Sequence, residues 1–166
     1  HRDLKPSNIV IRPDGSPVIV DFGAATFVAT DRAGDEDAAD TSNLTHGYAA
    51  LEQYALDYAE GPWTDIHALG AIAFRALTGT SLPAAPRRFA GQGELPNLDA
   101  ATRERAPALA RAIDWALSLD PNERPASITA WRRALTGETM KTDTVADRPQ
   151  EDDDVVPTLP VQRTVI

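Results

Sequence analysis

The chain has 166 residues, a mass of 17.8 kDa and a formal net charge of −9, enough length for one domain with a buried core. Hydrophobic and charged shares of 42% and 25% are those of an ordinary globular chain, and no apolar run reaches the ~18 residues that cross a bilayer. The lack of cysteine excludes disulfides, iron–sulfur clusters and cysteine zinc sites and fits a reducing compartment, while three scattered histidines (His1, His46, His67) argue against a histidine metal centre.

In chain order, "NIVIRPDGSPVIVDFG" predicts two short strands, Ile9–Arg12 and Pro17–Val20, because β-branched residues flank a Pro13-Asp14-Gly15 turn. From Ala24 to Leu44 there is no periodicity, and so long a structureless stretch suits a functional lid or disorder. A helix is predicted next, capped by Thr64, with Asp65 in its first turn and Gly79 ending it; apolar residues from Ile66 to Leu77 nearly encircle it, so it should be central and buried. Residues 80–101, rich in Pro, Gly and Ala, read as loop with one short helix near Arg87–Gly91. Leu109, Ile113 and Leu117 recur every four residues and predict a single helix from Arg103 to Ser118, broken by Asp120-Pro121. Ser127 caps a last helix through Leu135, stopped by Gly137. Trp63, Trp115 and Trp131 read as core or groove packing.

The acidity lies in two segments. Residues 24–44 hold five acids against Arg32, and residues 137–166 hold seven acids against three bases. Such a balance argues against nucleic acid as the partner. The second segment, rich in Thr and Pro and without helical period, reads as a disordered tail or linker.

The opening HRDLKPSN and the end of the hairpin carry the chemistry. A hairpin brings its two ends close, so Asn8 and Asp21 can converge, and two hard side-chain oxygens suit magnesium, which completes its shell with phosphate and water. Asp3 is then free to orient a hydroxyl, and Lys5 to neutralise charge on a transferred phosphoryl group. A base, a cation and a metal pair are the minimum kit for phosphoryl transfer.

His1-Arg2-Asp3-Leu4-Lys5-Pro6-Ser7-Asn8 resembles the catalytic loop of eukaryotic-type (Hanks-type) protein kinases, and Asp21-Phe22-Gly23 resembles their magnesium-binding motif. Three further blocks resemble the family in the right order. They are Thr45 to Glu52 (the segment ending in Ala-Pro-Glu), Asp65 to Gly70 (the start of the central helix) and Asp120 to Pro125 (the turn before the last helix). Leu44, His46 and Leu51 depart from the family pattern, all in the substrate-docking stretch. Lys5 and Pro6 after the aspartate favour the serine/threonine class, and fourteen arginines against two lysines suggest a GC-rich bacterial genome.

The resemblance implies a mainly α (α+β) fold, the helical large lobe of a kinase with a short β-hairpin carrying the catalytic and magnesium motifs. Residues 1–136 would be this C-terminal lobe and 137–166 the acidic tail. It implies transfer of the γ-phosphate of ATP to Ser or Thr hydroxyls of protein substrates, with Mg2+. Asp3 would be the base, Lys5 the γ-phosphate contact, Asn8 and Asp21 the metal ligands, and Thr45 the guide for the substrate hydroxyl. Arg2 would hold the activation segment, residues 21–52, with Thr41 or Ser42 as the activating phosphosite or the acidic run Asp35–Asp40 standing in for phosphate. His1 and Phe22 would stack in the active core beside Gly23, Asp65 would fix the catalytic loop, and Glu52 would pair with Arg124. The Gly-rich loop, strand lysine and adenine hinge of the family are not in this sequence. The expectation is therefore a piece of a longer kinase whose N-terminal lobe is missing, inactive alone, and cytoplasmic or the cytosolic part of a membrane-anchored enzyme. The alternative is a truncated, non-catalytic kinase that binds proteins through its substrate groove.

Overall fold

The computed structural model describes residues 1–22, 45–54 and 59–138. Gly23, Thr41, Ser42, the acidic run Asp35–Asp40 and the tail beyond Glu138 lie outside the described residues.

Strands β1 (Ile9–Ile11) and β2 (Pro17–Ile19) pair antiparallel, with Ile9 opposite Ile19 and Val10 opposite Val18. The turn forms because Gly15 takes φ +84 and Asp14 Oδ1 accepts from both the backbone N–H and the hydroxyl of Ser16, at 2.9 and 2.6 Å. Both strands stop one residue short of the sequence expectation. The ribbon leaves Val10, Ile11, Ile19 and Val20 exposed.

Helix α1 (Pro62–Thr78) runs through the centre. Its N-cap is Gly61, three residues before the expected cap Thr64, since Pro62 needs no N–H partner at the first helical position. Thr64 is therefore not the cap but the third helical residue, and its hydroxyl accepts from the Gly61 N–H at 3.1 Å. Gly79 ends the helix in the left-handed region, at φ +71. Burial holds around most of the axis up to Phe74, but the last turn emerges into solvent and Leu77 is exposed.

Helix α2 (Ala85–Phe89) starts two residues earlier than expected. The expected single helix over 103–118 is two: α3 (Ala100–Arg105), capped by Asp99, and α4 (Pro107–Ala116). Pro107 causes the break. It has no N–H to continue the ladder and drives Ala106 out of helical backbone, to φ −138 and ψ 62. Helix α5 (Ile128–Thr136) begins as expected behind Ser127, whose hydroxyl accepts from the Ala130 N–H at 3.1 Å, and ends at Gly137 with φ +75.

Helix α4 packs between α1 and α5. One side of the core gathers Tyr48, Phe74, Leu82, Leu98, Ile113 and Leu117; the other gathers Ile66, Ala112, Ala116, Trp131 and Ala134. Gly70 lets α1 approach α4, because a Cβ there would sit 2.8 Å from the Ala116 Cβ. Trp131 is buried and donates its indole N–H to the Ala112 carbonyl at 2.8 Å, and Trp115 packs beside it, partly buried. Among the described residues no helix is long and apolar enough to cross a membrane.

Candidate active site

The loop before β1 closes on itself through a 3-10 turn at Pro6–Asn8 and against residues far along the chain. Asp3 is its hub. Lys5 Nζ donates to Asp3 Oδ2 at 2.6 Å, the Thr45 hydroxyl donates to Asp3 Oδ1 at 3.0 Å, and Lys5 Nζ also reaches Thr45 Oγ1 at 3.2 Å. A carboxylate, an ammonium and a hydroxyl thus form a closed triangle, although Thr45 lies 42 residues from Asp3. The Asp3 and Lys5 side chains keep 23% and 25% of their surface in solvent, enough to meet a substrate.

Asn8 is buried, and its amide nitrogen donates to the Asp3 carbonyl at 2.9 Å. The Val20 N–H donates to the Asn8 carbonyl at 2.9 Å, which sets the residue before Asp21 against Asn8 across the ribbon. Asp21 is exposed and in the left-handed region, at φ +63.

Arg2 shares that backbone, at φ +67, a conformation costing a non-glycine residue on the order of 1–2 kcal/mol. Its peptide is held from both sides. Asp65, in the first turn of α1, accepts from the Arg2 N–H at 2.9 Å and from the amino-terminal nitrogen of His1 at 2.8 Å. Gln53 donates to the Arg2 carbonyl at 2.7 Å while its own oxygen accepts from the Ala50 N–H at 3.0 Å. Sequence reasoning singled out Asp65 but missed Gln53. A lone amide after a glutamate carries no signal, and the contact spans 51 residues. The Arg2 guanidinium is paired with Glu60 at 3.3 Å, also unforeseen.

His1 and Phe22 meet with ring centroids 4.7 Å apart and planes tilted by 47°. They do not form a buried core: Phe22 is 59% exposed, because no described element covers that side of the ribbon. His46 stacks on Tyr54 at 6.3 Å and its Nδ1 lies 3.3 Å from the phenol oxygen.

Behind the site, Glu52 and Arg124 form a buried bidentate pair at 2.7 and 2.9 Å. Leu51, standing where the family has proline, opens a 3-10 turn through Tyr54 that still aims Glu52 inward. The turn Thr45–Tyr48 is tied to α1 by His67, whose Nδ1 lies 3.2 Å from the Tyr48 carbonyl. Burial first, then the charges of Arg124 and Arg88, pull the His67 pKa down to about 3.

Comparison with known proteins identifies the family. The family model described as "Protein kinase domain" matches residues 1–134. "Serine/threonine-protein kinase C" of Synechocystis sp. is 35% identical over 143 residues, 82% of this chain and 25% of that protein. "Serine/threonine-protein kinase PknA" of Mycobacterium tuberculosis is 38% identical over 100 residues, 57% of this chain and 20% of that protein. The solved structure titled "PpkA-294 apo form" has a TM-score of 0.61 at 31% identity, over 81% of this chain and 45% of that one. The chain thus spans a quarter or less of these curated relatives and under half of the solved structure.

Proposed function

Since the chain belongs to the protein kinase domain family, we propose that it supplies the catalytic half of an ATP-dependent serine/threonine kinase acting on protein substrates. The observation that carries this reading is the Asp3–Lys5–Thr45 triangle. A Ser or Thr hydroxyl entering beside Thr45 gives its proton to the Asp3 carboxylate. Its oxygen bonds to the γ-phosphorus as the bond to the bridging oxygen breaks, and ADP leaves with that electron pair. Lys5 balances the charge on the transferred group. Protein kinases generally use ATP and Mg2+. Asn8 and Asp21 are the residues that would hold the ion: the Asn8 nitrogen is spent on the Asp3 carbonyl, its oxygen accepts only a long 3.4 Å bond from the Ser7 hydroxyl and keeps a lone pair for a cation, and an exposed carboxylate joins it. Bound there, Mg2+ would neutralise phosphate charge. The adenine-gripping elements of the family belong to the part that this chain does not span, so the partner in catalysis is an N-terminal lobe.

In a complete kinase domain carrying this segment, transfer from labelled ATP to Ser/Thr peptides is expected, and Asp3→Asn should lower kcat by roughly 10²–10⁴-fold. Unchanged turnover in Asp3→Asn, or label found on tyrosine, would overturn the reading. Residues 1–166 alone should show no transfer.

A further inference from the structure

The turn that carries Thr45 does not hold itself in place. Its internal bonds are two, from the Tyr48 and Ala49 N–H groups to the Thr45 carbonyl at 3.1 and 3.2 Å. Gly47 in its middle takes φ +91 and presses on the backbone of Leu82, where a Cβ would come within 2.8 Å of the carbonyl oxygen. Two anchors fix the turn from below: the buried Tyr48 ring, whose hydroxyl accepts from Arg75 Nη1 at 3.0 Å, and His67 on α1, which holds the Tyr48 carbonyl.

His67 is 1% exposed and sits between a carbonyl and a cation. On one side lies the Tyr48 carbonyl, which can only accept; on the other lies Arg88 Nη1, 3.5 Å from Nε2, which can only donate. The two neighbours dictate the tautomer: Nδ1 carries the hydrogen and Nε2 is bare. Arg88 in turn is anchored by Nη2 to the Leu117 carbonyl at 2.7 Å, just past the end of α4. A chain of directed hydrogen bonds therefore runs from the end of α4 through α2 and α1 to the Tyr48 carbonyl. From there the turn leads to the Thr45 hydroxyl on Asp3.

We propose that His67 and Arg88 are positioning residues for the protein substrate, together setting the height of the Thr45–Tyr48 turn over Asp3. The inference rests on the kinase reading for its kinetic part. Neither residue touches the reacting atoms; both act through the Tyr48 carbonyl and Thr45. Burial of the imidazole keeps it neutral at physiological pH, so the tautomer does not switch.

The test compares His67→Phe, which keeps bulk but loses both hydrogen bonds, with His67→Asn, whose amide nitrogen can stand in for Nδ1–H, and with Arg88→Leu. In a complete kinase domain, His67→Phe and Arg88→Leu should raise the peptide KM about tenfold, the scale of one buried hydrogen bond, with the KM for ATP within about twofold. His67→Asn should stay within about threefold of wild type for both. Hydrogen exchange on the chain itself supplies an arm independent of activity: the Tyr48 and Ala49 amides should exchange faster in Arg88→Leu and in His67→Phe, and near the wild-type rate in His67→Asn. Unchanged peptide KM, a parallel rise in the KM for ATP, or unchanged exchange at Tyr48 and Ala49 in both Arg88→Leu and His67→Phe would each overturn the proposal. If the wild type phosphorylates no Ser or Thr peptide, the kinase reading fails, and the exchange arm alone decides the positioning role.

Discussion

Glu52 and Arg124, 72 residues apart, face each other as two parallel forks, and the guanidinium has no donor to spare. Besides the carboxylate, it donates to the carbonyls of Ser118, Trp63 and Leu119 at 2.8, 3.2 and 3.0 Å. Thr64 adds a third donor to Glu52, at 2.9 Å. Removing one partner strands the other charge where water cannot reach it, and should cost on the order of 3–5 kcal/mol. Urea unfolding should find Glu52→Gln and Arg124→Met each strongly destabilised. The double variant should lose much less than their sum. Additive losses would show the two side chains to be energetically independent.

The close approach of α1 and α4 at Gly70 sets two effects against each other. Replacing a mid-helix glycine by alanine gains up to about 1 kcal/mol of helix propensity. Here the new methyl would lie 2.8 Å from the Ala116 Cβ and 3.4 Å from a Leu117 methyl, both fully buried, and such overpacking costs about 1–3 kcal/mol. Overpacking wins. Gly70→Ala should lower the melting temperature, whereas Ala116→Gly in the same chain should restore part of the loss.

His67 also writes a pH dependence into folding. Its pKa falls from 6.5 unfolded to about 3 folded, so between these values the unfolded chain binds a proton that the folded chain refuses. Stability from this group is complete above pH 6.5 and is lost as pH falls toward 3, reaching about 2 kcal/mol of loss at pH 5. Unfolding free energies at pH 7 and pH 5 should differ by this amount more in the wild type than in His67→Asn. Equal pH slopes in the two proteins would contradict it.

Arg2 already has an anion in Glu60, at 3.3 Å. A phosphate on Thr41 or Ser42 would compete for the same guanidinium with about −1.5 to −2 charges. Replacing Thr41 and Ser42 together by alanine should therefore lower kcat less than about tenfold, because Glu60 still neutralises Arg2. Adding Glu60→Gln should remove most of the remainder. Complete loss in the alanine pair alone would mean that Glu60 cannot serve.

How much of this could be read beforehand depended on the reach of each interaction. The triangle at Asp3 was legible because Lys5 and Asn8 follow within five residues, and a block pattern brought in Thr45. Ser127, Gly79 and Gly137 were legible as helix punctuation because a cap acts within one turn. The break at Ala106 was available in Pro107, and the spacing of Leu109, Ile113 and Leu117 lies wholly within α4 and its C-cap, so it gave no ground for carrying the helix back to Arg103. Gln53 on Arg2 and Arg88 on His67 had no local signature. An amide and a guanidinium can serve almost anywhere, and only the folded path of the chain selects their acceptors.

The ribbon of β1 and β2 decides how this chain behaves in a tube. Among the described residues nothing pairs with either outer edge, and Val10, Ile11 and Ile19 show 49, 63 and 41% of their surface to water. An uncovered apolar strand pair is a template for adding strands from another copy. What holds copies apart is the net charge of −9, and that repulsion fades beyond about 10 Å at 0.1 M salt. Raising the ionic strength, the usual remedy for a sticky protein, should therefore drive this one out of solution.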